Sequence, residues 1–347
     1  MDALNNLSYP KLRNIIKNTV LTSSLVLAGA SVSAQASDVS DLNITIHEKF
    51  PFLKASQDFS DEGYDVSEYH PYVGYAYSEG YIDDNDILFS LEAHGKLYDW
   101  LLTNRARRFI VVNIPAYELY VFSSDSEFPY IDTYTLEWET NVVVGSPYYK
   151  TPLTPFEIVS LKYNPTWTPT YNIMKRNART EDGEWNMPWI EGHNFSLLDR
   201  ETREPLNFEE AKEYPLSDIL LVEPKGASNS LGKLKFETTS NSNIYLHDTN
   251  EKWFFDKEDR ARSSGCIRVE NPNYLASLLA EADTNYIENN ISKDSTYWEA
   301  VNRTPVFFMY DNVEYRYNNV RDLHKLDDPY GYFKKFIEEQ SSDFYVE

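Results

Sequence analysis

Cysteine is nearly missing: the 347 residues hold one, Cys266. A lone cysteine cannot close a disulfide within its own chain. It is a buried small hydrophobe, a link to another molecule or a reactive thiol. Glycine is sparse at 12, whereas tyrosine reaches 27; few Gly with abundant Tyr, Thr and Val leans toward β structure. Bases are outnumbered, 32 against 55 acids, for a net charge of −23. Such a chain repels phosphate backbones and anionic lipid, which argues against a nucleic-acid partner. Solubility is the plainest use of that acidity. Internal repeats and low-complexity tracts are lacking, and so is a long apolar run. Thr19 to Gly29 is too short and too rich in Ser and Thr to span a bilayer comfortably. What is present is a globular composition, 41% hydrophobic and 15% aromatic, in a chain long enough for one large domain or two ordinary ones.

The first 36 residues read as a secretory signal peptide. Lys11, Arg13 and Lys17 supply a basic n-region, and Val32-Ser33-Ala34 or Ala34-Gln35-Ala36 a small-residue cleavage site. Export follows, with no membrane span after cleavage, and no Cys lies near that site to carry a lipid anchor. Residues 37–88 form an acidic, Tyr-rich region of unassigned function. The main domain runs over 89–326 and a polar, aromatic tail over 327–347. A helix is predicted over 87–104, capped by Asp84 or Asp86. Strands are predicted over 109–113, 117–122, 133–144, 156–163, 234–236, 244–246 and 305–310. Asn271-Pro272 opens a helix with Leu275, Leu278 and Leu279 as its buried stripe, and a short helix is expected around 332–339. Residues 164–222, rich in Pro, Trp, Asn and charge, read as an insertion with helical pieces such as 207–213. The expected fold class is mainly β with α insertions.

The chemistry concentrates in Ile244-Tyr-Leu-His-Asp-Thr249 and Ser263-Ser-Gly-Cys-Ile-Arg268. A strand delivers His247, and 19 residues later the chain returns with Cys266. A thiol is only a few per cent ionised at neutral pH, so a neighbouring imidazole is needed to take its proton. An attacked carbonyl becomes an oxyanion and needs backbone N–H donors; Gly265 lets the chain turn tightly and aim them. Arg268 either favours thiolate and orients a carboxylate or belongs to an ion pair.

These residues resemble the YkuD-type L,D-transpeptidases, specifically their YcbB-like branch. The hallmark is a His followed after a spacer by Ser-x-Gly-Cys-hydrophobic-Arg, here His247 and Ser263 to Arg268. Further matches are Asn113-Ile114-Pro115, Val144-Gly145 with Thr151-Pro152, Asn164-Pro165-Thr166-Trp167, Asn229 to Phe236 and Tyr245 to Thr249. The resemblance implies a mainly β catalytic domain with a helical and loop lid at 168–222. It implies that Cys266 attacks a peptidoglycan stem peptide at its third residue and expels D-Ala. A side-chain amine of diaminopimelate on a second stem then takes the acyl group, giving a 3-3 cross-link. The backbone of Asp248 would orient His247, and the amides of Gly265 and Cys266 would hold the oxyanion. Tyr245, Ser264, Trp167 and Asn229 would contact substrate. No cofactor or metal is implied, and the location would be the periplasm. Ser264 replaces a His that many members carry, and Arg262 stands where the branch usually has an apolar residue.

Two alternatives remain. One is a hydrolase of the same fold acting on peptidoglycan or a lipoprotein linkage; the other is a catalytically idle wall-binding protein. A papain-like protease is disfavoured, because here the His precedes the Cys. Trp167, Trp185 and Trp189 either form an aromatic lid or pack the insertion onto the β core.

Overall fold

The computed structural model describes residues 43–53, 71–315 and 323–342; the expected signal peptide lies outside them. In chain order its elements begin with helices α1 (Ile46–Lys49), α2 (Pro71–Ser78) and α3 (Asp84–Thr103). Strands β1 (Arg108–Asn113), β2 (Glu118–Ser123), β3 (Thr135–Gly145) and β4 (Phe156–Tyr163) follow. The insertion holds α4 (Tyr171–Asn177), α5 (Met187–Gly192), β5 (Ser196–Asp199) and β6 (Ile219–Val222). Then come β7 (Leu234–Thr238), β8 (Leu246–His247), β9 (Ala261–Ser263) and β10 (Ile267–Val269). The chain continues through α6 (Pro272–Ala280), α7 (Thr284–Ser292) and β11 (Tyr297–Met309). It closes with β12 (Val313–Tyr315), β13 (Leu323–Lys325) and α8 (Tyr332–Ser342). The architecture is a mixed β fold with several helices, as its composition indicates.

The chain divides into two compact units. One holds the described residues up to Thr140, with Pro152–Pro155 and those from Pro305 onward; the other holds Asn141–Thr151 and Phe156–Thr304. Strands β3 and β11 run from one into the other.

In the first unit β1 pairs antiparallel with β2 and parallel with the end of β11. Helix α3 lays Ala93, Leu97 and Leu101 against Phe109, Val111, Tyr120, Phe122 and Met309. The N-cap of α3 is Asp83, not Asp84 or Asp86. Its carboxylate accepts the Asn85 and Asp86 amides at 2.8 and 3.1 Å, and Asp86 closes the capping box from N3. The helix therefore starts three residues earlier than its apolar stripe suggests. The boundary expected at 88 falls inside α3, and Ile44, Ile46, Phe50 and Leu53 share the core of this unit. A buried polar network lies beside that core. His94 Nε2 lies 2.8 Å from Asp311 Oδ2, Ser90 donates to Asp311 Oδ1 at 2.5 Å, and the Phe52 amide donates to His94 Nδ1 at 3.1 Å. Asn113 bonds the Asp311 backbone in both directions, so the Asn113-Ile-Pro element is scaffold. A groove of about 560 Å³ between α3, β11 and α8 holds none of the predicted site residues.

In the second unit β4 pairs antiparallel with β7, β7 antiparallel with β8, and β8 parallel with β10. The end of β3 flanks β10 and β9. Strand β11 is longer than expected because only its last six residues are continuously buried; Tyr297 to Arg303 are half-buried or exposed and give no apolar signal. The insertion folds on a core of its own, with Met174, Trp185, Ile190, Phe195, Leu197, Ile219 and Leu221 buried together and Trp189 packed against them. Trp185 donates from Nε1 to the Phe208 carbonyl at 2.7 Å. Trp185 and Trp189 thus fill the core of the insertion itself rather than packing it onto the β core. Trp167 and Glu223 close its neck by exchanging backbone hydrogen bonds at 3.1 and 2.7 Å.

Candidate active site

Two adjacent parallel strands build the site. Arg268 pairs with His247 and Ile267 with Leu246, and the Ile267 amide donates to the Tyr245 carbonyl at 3.1 Å. Alternate residues of a strand share a face, so Tyr245, His247, Cys266 and Arg268 point the same way. The sequence could offer a His and a Cys 19 residues apart; the register sets His247 beside Arg268, two residues from Cys266 on the adjacent strand.

His247 is buried, and its Nδ1 is hydrogen-bonded to the Asp248 carbonyl. A carbonyl only accepts, so Nδ1 carries the hydrogen and Nε2 keeps its lone pair. Burial, and then the Arg268 charge, push the imidazole pKa down to about 3, against the opposing pull of the Asp248 carbonyl. The ring is neutral, which is the form a general base requires. Burial pushes the Cys266 thiol up, opposed by hydrogen bonds from Tyr245 and by the charges of Lys235 and Arg268. The resting pair is therefore thiol and imidazole, not thiolate and imidazolium. The thiol Sγ lies 3.6 Å from the Asn243 carbonyl, its hydrogen-bond partner in this state.

The Asp248 side chain explains why its carbonyl stays in place. One carboxylate oxygen accepts the Lys233 amide at 2.8 Å and the other faces Lys252 Nζ at 2.7 Å. Gly232 makes room: a Cβ there would sit 2.2 Å from Asp248 Oδ2, and φ is +59°. Asn229 is fully buried and bonds only its own loop, donating to the Pro224 carbonyl at 2.8 Å and accepting the Leu231 amide at 2.9 Å. In place of the expected substrate contact, Asn229 shapes the loop that presents Gly232.

The nucleophile turn is held from below. The Thr151 hydroxyl accepts the Gly145 amide at 2.9 Å and donates to the Gly265 carbonyl at 2.8 Å. A Cβ on Gly145 would lie 2.2 Å from the Tyr149 carbonyl. The Val-Gly…Thr-Pro element is thus the clasp of the Cys266 turn, a role its sequence signalled only by spacing. Gly265 adopts φ +117°, a conformation that favours glycine. That conformation turns its amide onto Ser263 Oγ at 3.0 Å, while the same hydroxyl donates to the Cys266 carbonyl at 2.6 Å. The Gly265 amide is therefore engaged within the turn, which corrects its expected role as an oxyanion donor in this state.

Arg268 pairs with Glu251 at 2.6 Å, the ion-pair alternative, while still acting on His247 and Cys266 through its charge. Tyr245 touches the nucleophile, and burial followed by the Cys266 charge raises its phenol pKa. Lys235 Nζ stands 4.0 Å above the Tyr245 ring. Trp167 faces the Tyr245 hydroxyl from the neck of the insertion and packs 5.8 Å from Phe195. Ser264 is exposed and receives Arg176 from α4 at 3.2 Å. Arg176 lies in none of the motifs read from the sequence, whereas Lys235, Thr151 and Ser263 lie in matched motifs without a role having been assigned to them. Among the described residues no group of three His, Cys, Asp or Glu could hold a metal ion, and no helix is long and apolar enough to cross a membrane.

Comparison with known proteins adds independent findings. Residues 107–307 match the model of the L,D-transpeptidase catalytic domain family, YkuD. A putative L,D-transpeptidase of Haemophilus influenzae is 29% identical over 232 residues, which cover 64% of this chain and 44% of that protein. The chain thus spans under half the length of this relative. Among solved structures, an L,D-transpeptidase from Mycobacterium smegmatis aligns at 14% identity over 59% of each chain, with a TM-score of 0.27. L,D-transpeptidase 1 of Mycobacterium tuberculosis aligns at 13% identity over 58% of this chain and 61% of its own, with a TM-score of 0.23.

Proposed function

The chain belongs to the YkuD family of L,D-transpeptidase catalytic domains, and from that premise we propose that it forms 3-3 cross-links between peptidoglycan stem peptides through a Cys266 thioester. The observation that carries this reading is the pairing of β8 with β10, which puts a neutral His247 with a free Nε2 lone pair on the face that bears Cys266. The thiol turns from the Asn243 carbonyl toward Nε2 and gives up its proton. The thiolate adds to the donor carbonyl at the third stem residue, and the carbonyl electrons move onto oxygen. The Cys266 amide faces that oxyanion; the Gly265 amide joins only if Ser263 releases it. When the carbonyl re-forms, the C–N bond breaks and the imidazolium returns its proton to the departing amine of D-Ala. A diaminopimelate amine of a second stem then attacks the thioester, passes a proton to His247, and the thiol is restored.

Within the family the reading places the chain in the YcbB-like branch, exported to the periplasm, with 168–222 as a lid that disfavours water. The deciding experiment incubates purified protein with disaccharide-tetrapeptide muropeptides and reads the products by mass spectrometry. Cross-linked dimer with released D-Ala is expected; tripeptide as the main product, or cleavage of existing cross-links, gives the reaction to the hydrolase alternative.

A further inference from the structure

The insertion brings a cation of its own to the nucleophile turn. Arg176 lies in the last turn of α4. Its guanidinium rests 3.6 Å over the Tyr149 ring, and Nη2 donates to Ser264 Oγ at 3.2 Å. Ser264 immediately precedes Gly265, and the Tyr149 carbonyl lies 3.6 Å from the position a Cβ on Gly265 would take. Both anchors of the guanidinium therefore flank the Gly265–Cys266 turn.

Four other cations around this turn are paired with carboxylates. Arg268 pairs with Glu251, Lys252 with Asp248, Lys235 with Glu237 and Arg262 with Asp259. Arg176 has no carboxylate partner among the described residues, in a chain with 55 acids. A guanidinium carries five N–H donors, and one hydroxyl engages one of them. Stacking on an aromatic face fixes its plane and leaves its edge open for an anion, and the two-pronged edge of Arg matches a carboxylate.

We propose that Arg176 is a specificity residue that binds the free α-carboxylate of the donor, one residue beyond the carbonyl attacked by Cys266. The assignment rests on the acyl-transfer reading above for its substrate, but not for its test. The insertion then selects donors that end at that residue, because an amidated or extended stem offers no carboxylate at this point.

Because the chain has a single cysteine, alkylation provides a readout that needs no turnover. Iodoacetate and iodoacetamide differ chiefly in charge. At low ionic strength the ratio of their rates with Cys266 should fall about tenfold in Arg176→Gln and only partly in Arg176→Lys, which keeps charge but loses the fork. Lys175→Gln, an exposed neighbour on α4, should leave the ratio unchanged, and thermal melts check that each variant is folded. An unchanged ratio in Arg176→Gln, or an equal fall in Lys175→Gln, overturns the proposal. With tetrapeptide donors, Arg176→Gln should raise KM for the free acid and leave the C-terminal carboxamide unaffected. Equal loss on both donors would assign Arg176 to holding α4 in place and reject the proposal. If wild type acylates with neither donor, the transpeptidase reading fails, while the alkylation ratio still decides whether a carboxylate site exists.

Discussion

His94 and His247 are both buried, one in each unit, and they differ in a single respect. Both nitrogens of His94 are committed, Nδ1 to the Phe52 amide and Nε2 to Asp311. His247 commits only Nδ1, to the Asp248 carbonyl. A histidine with two partners is a strut, because protonation or proton transfer would break a bond the fold uses. A histidine with one fixed partner and one open nitrogen is a base with its tautomer already chosen. Burial alone separates nothing here, since the two rings are 1% and 5% exposed; the hydrogen-bond inventory separates them.

The sharpest way to break this contrast begins at the nucleophile. Cys266→Ala should lower acyl transfer by about 10³-fold or more with the melting temperature kept, as read by product mass spectrometry and thermal unfolding. Next, His247→Ala should slow acyl transfer by roughly 10²–10⁴-fold and change the pH profile of Cys266 alkylation. His94→Ala should do the reverse. It removes the Nε2–H donor from Asp311 Oδ2, at a cost of about 1–3 kcal/mol, and leaves the alkylation rate of the folded protein as it was. If His94→Ala slows alkylation as much as His247→Ala does, the distinction between strut and base is wrong.

A smaller effect tests the clasp. Thr151→Val keeps the shape but removes the hydroxyl between the Gly145 amide and the Gly265 carbonyl. It should cost about 1–3 kcal/mol of stability and, by loosening the turn, about tenfold in kcat/KM. Activity equal to wild type would mean that the Cys266 turn holds itself.

The last test concerns pH, where the effect at any one pH step is small. The folded imidazole of His247 sits near 3, below the ordinary value of 6.5. The unfolded chain therefore binds the proton first as pH falls. The stability that comes from keeping this ring neutral is complete above 6.5 and is lost progressively between 6.5 and 3, at up to about 1.4 kcal/mol per pH unit. Denaturant midpoints across that window should fall less steeply in His247→Gln than in wild type; parallel slopes would reject the depressed value.

Much of the fold could be read in advance where the signal is local. Strands β1, β2 and β4 and the opening of α6 at Asn271-Pro272 lie within a residue or two of their expected places, because alternation and Pro-containing starts are written in neighbouring residues. The first half of β11 was hidden because half-exposed strand carries no apolar pattern. Helix α7 went unread although Asp283 caps it, because its stripe is only weakly apolar, and the paired strands β12 and β13 are too short to show an alternating pattern. Asn229 illustrates a different limit. Its place in a motif suggested substrate, yet its side chain is used up by Pro224 and Leu231. A motif records that a residue type is needed, not whether it faces a ligand or the back of a loop.

By itself the sequence determined the reagents: one thiol, a His on a strand 19 residues before it, and a glycine between Ser264 and Cys266 to make the turn. Only the tertiary structure decided their state. It assigned the hydrogen on His247 through Asp248, engaged the Gly265 amide with Ser263, turned the resting thiol to Asn243 and brought Arg176 from 90 residues away in the chain to the nucleophile turn. The reason is physical. Residue types and near neighbours fix which bonds and turns are available, whereas protonation and reach depend on burial and on hydrogen-bond partners distant in sequence, which exist only once the chain has folded.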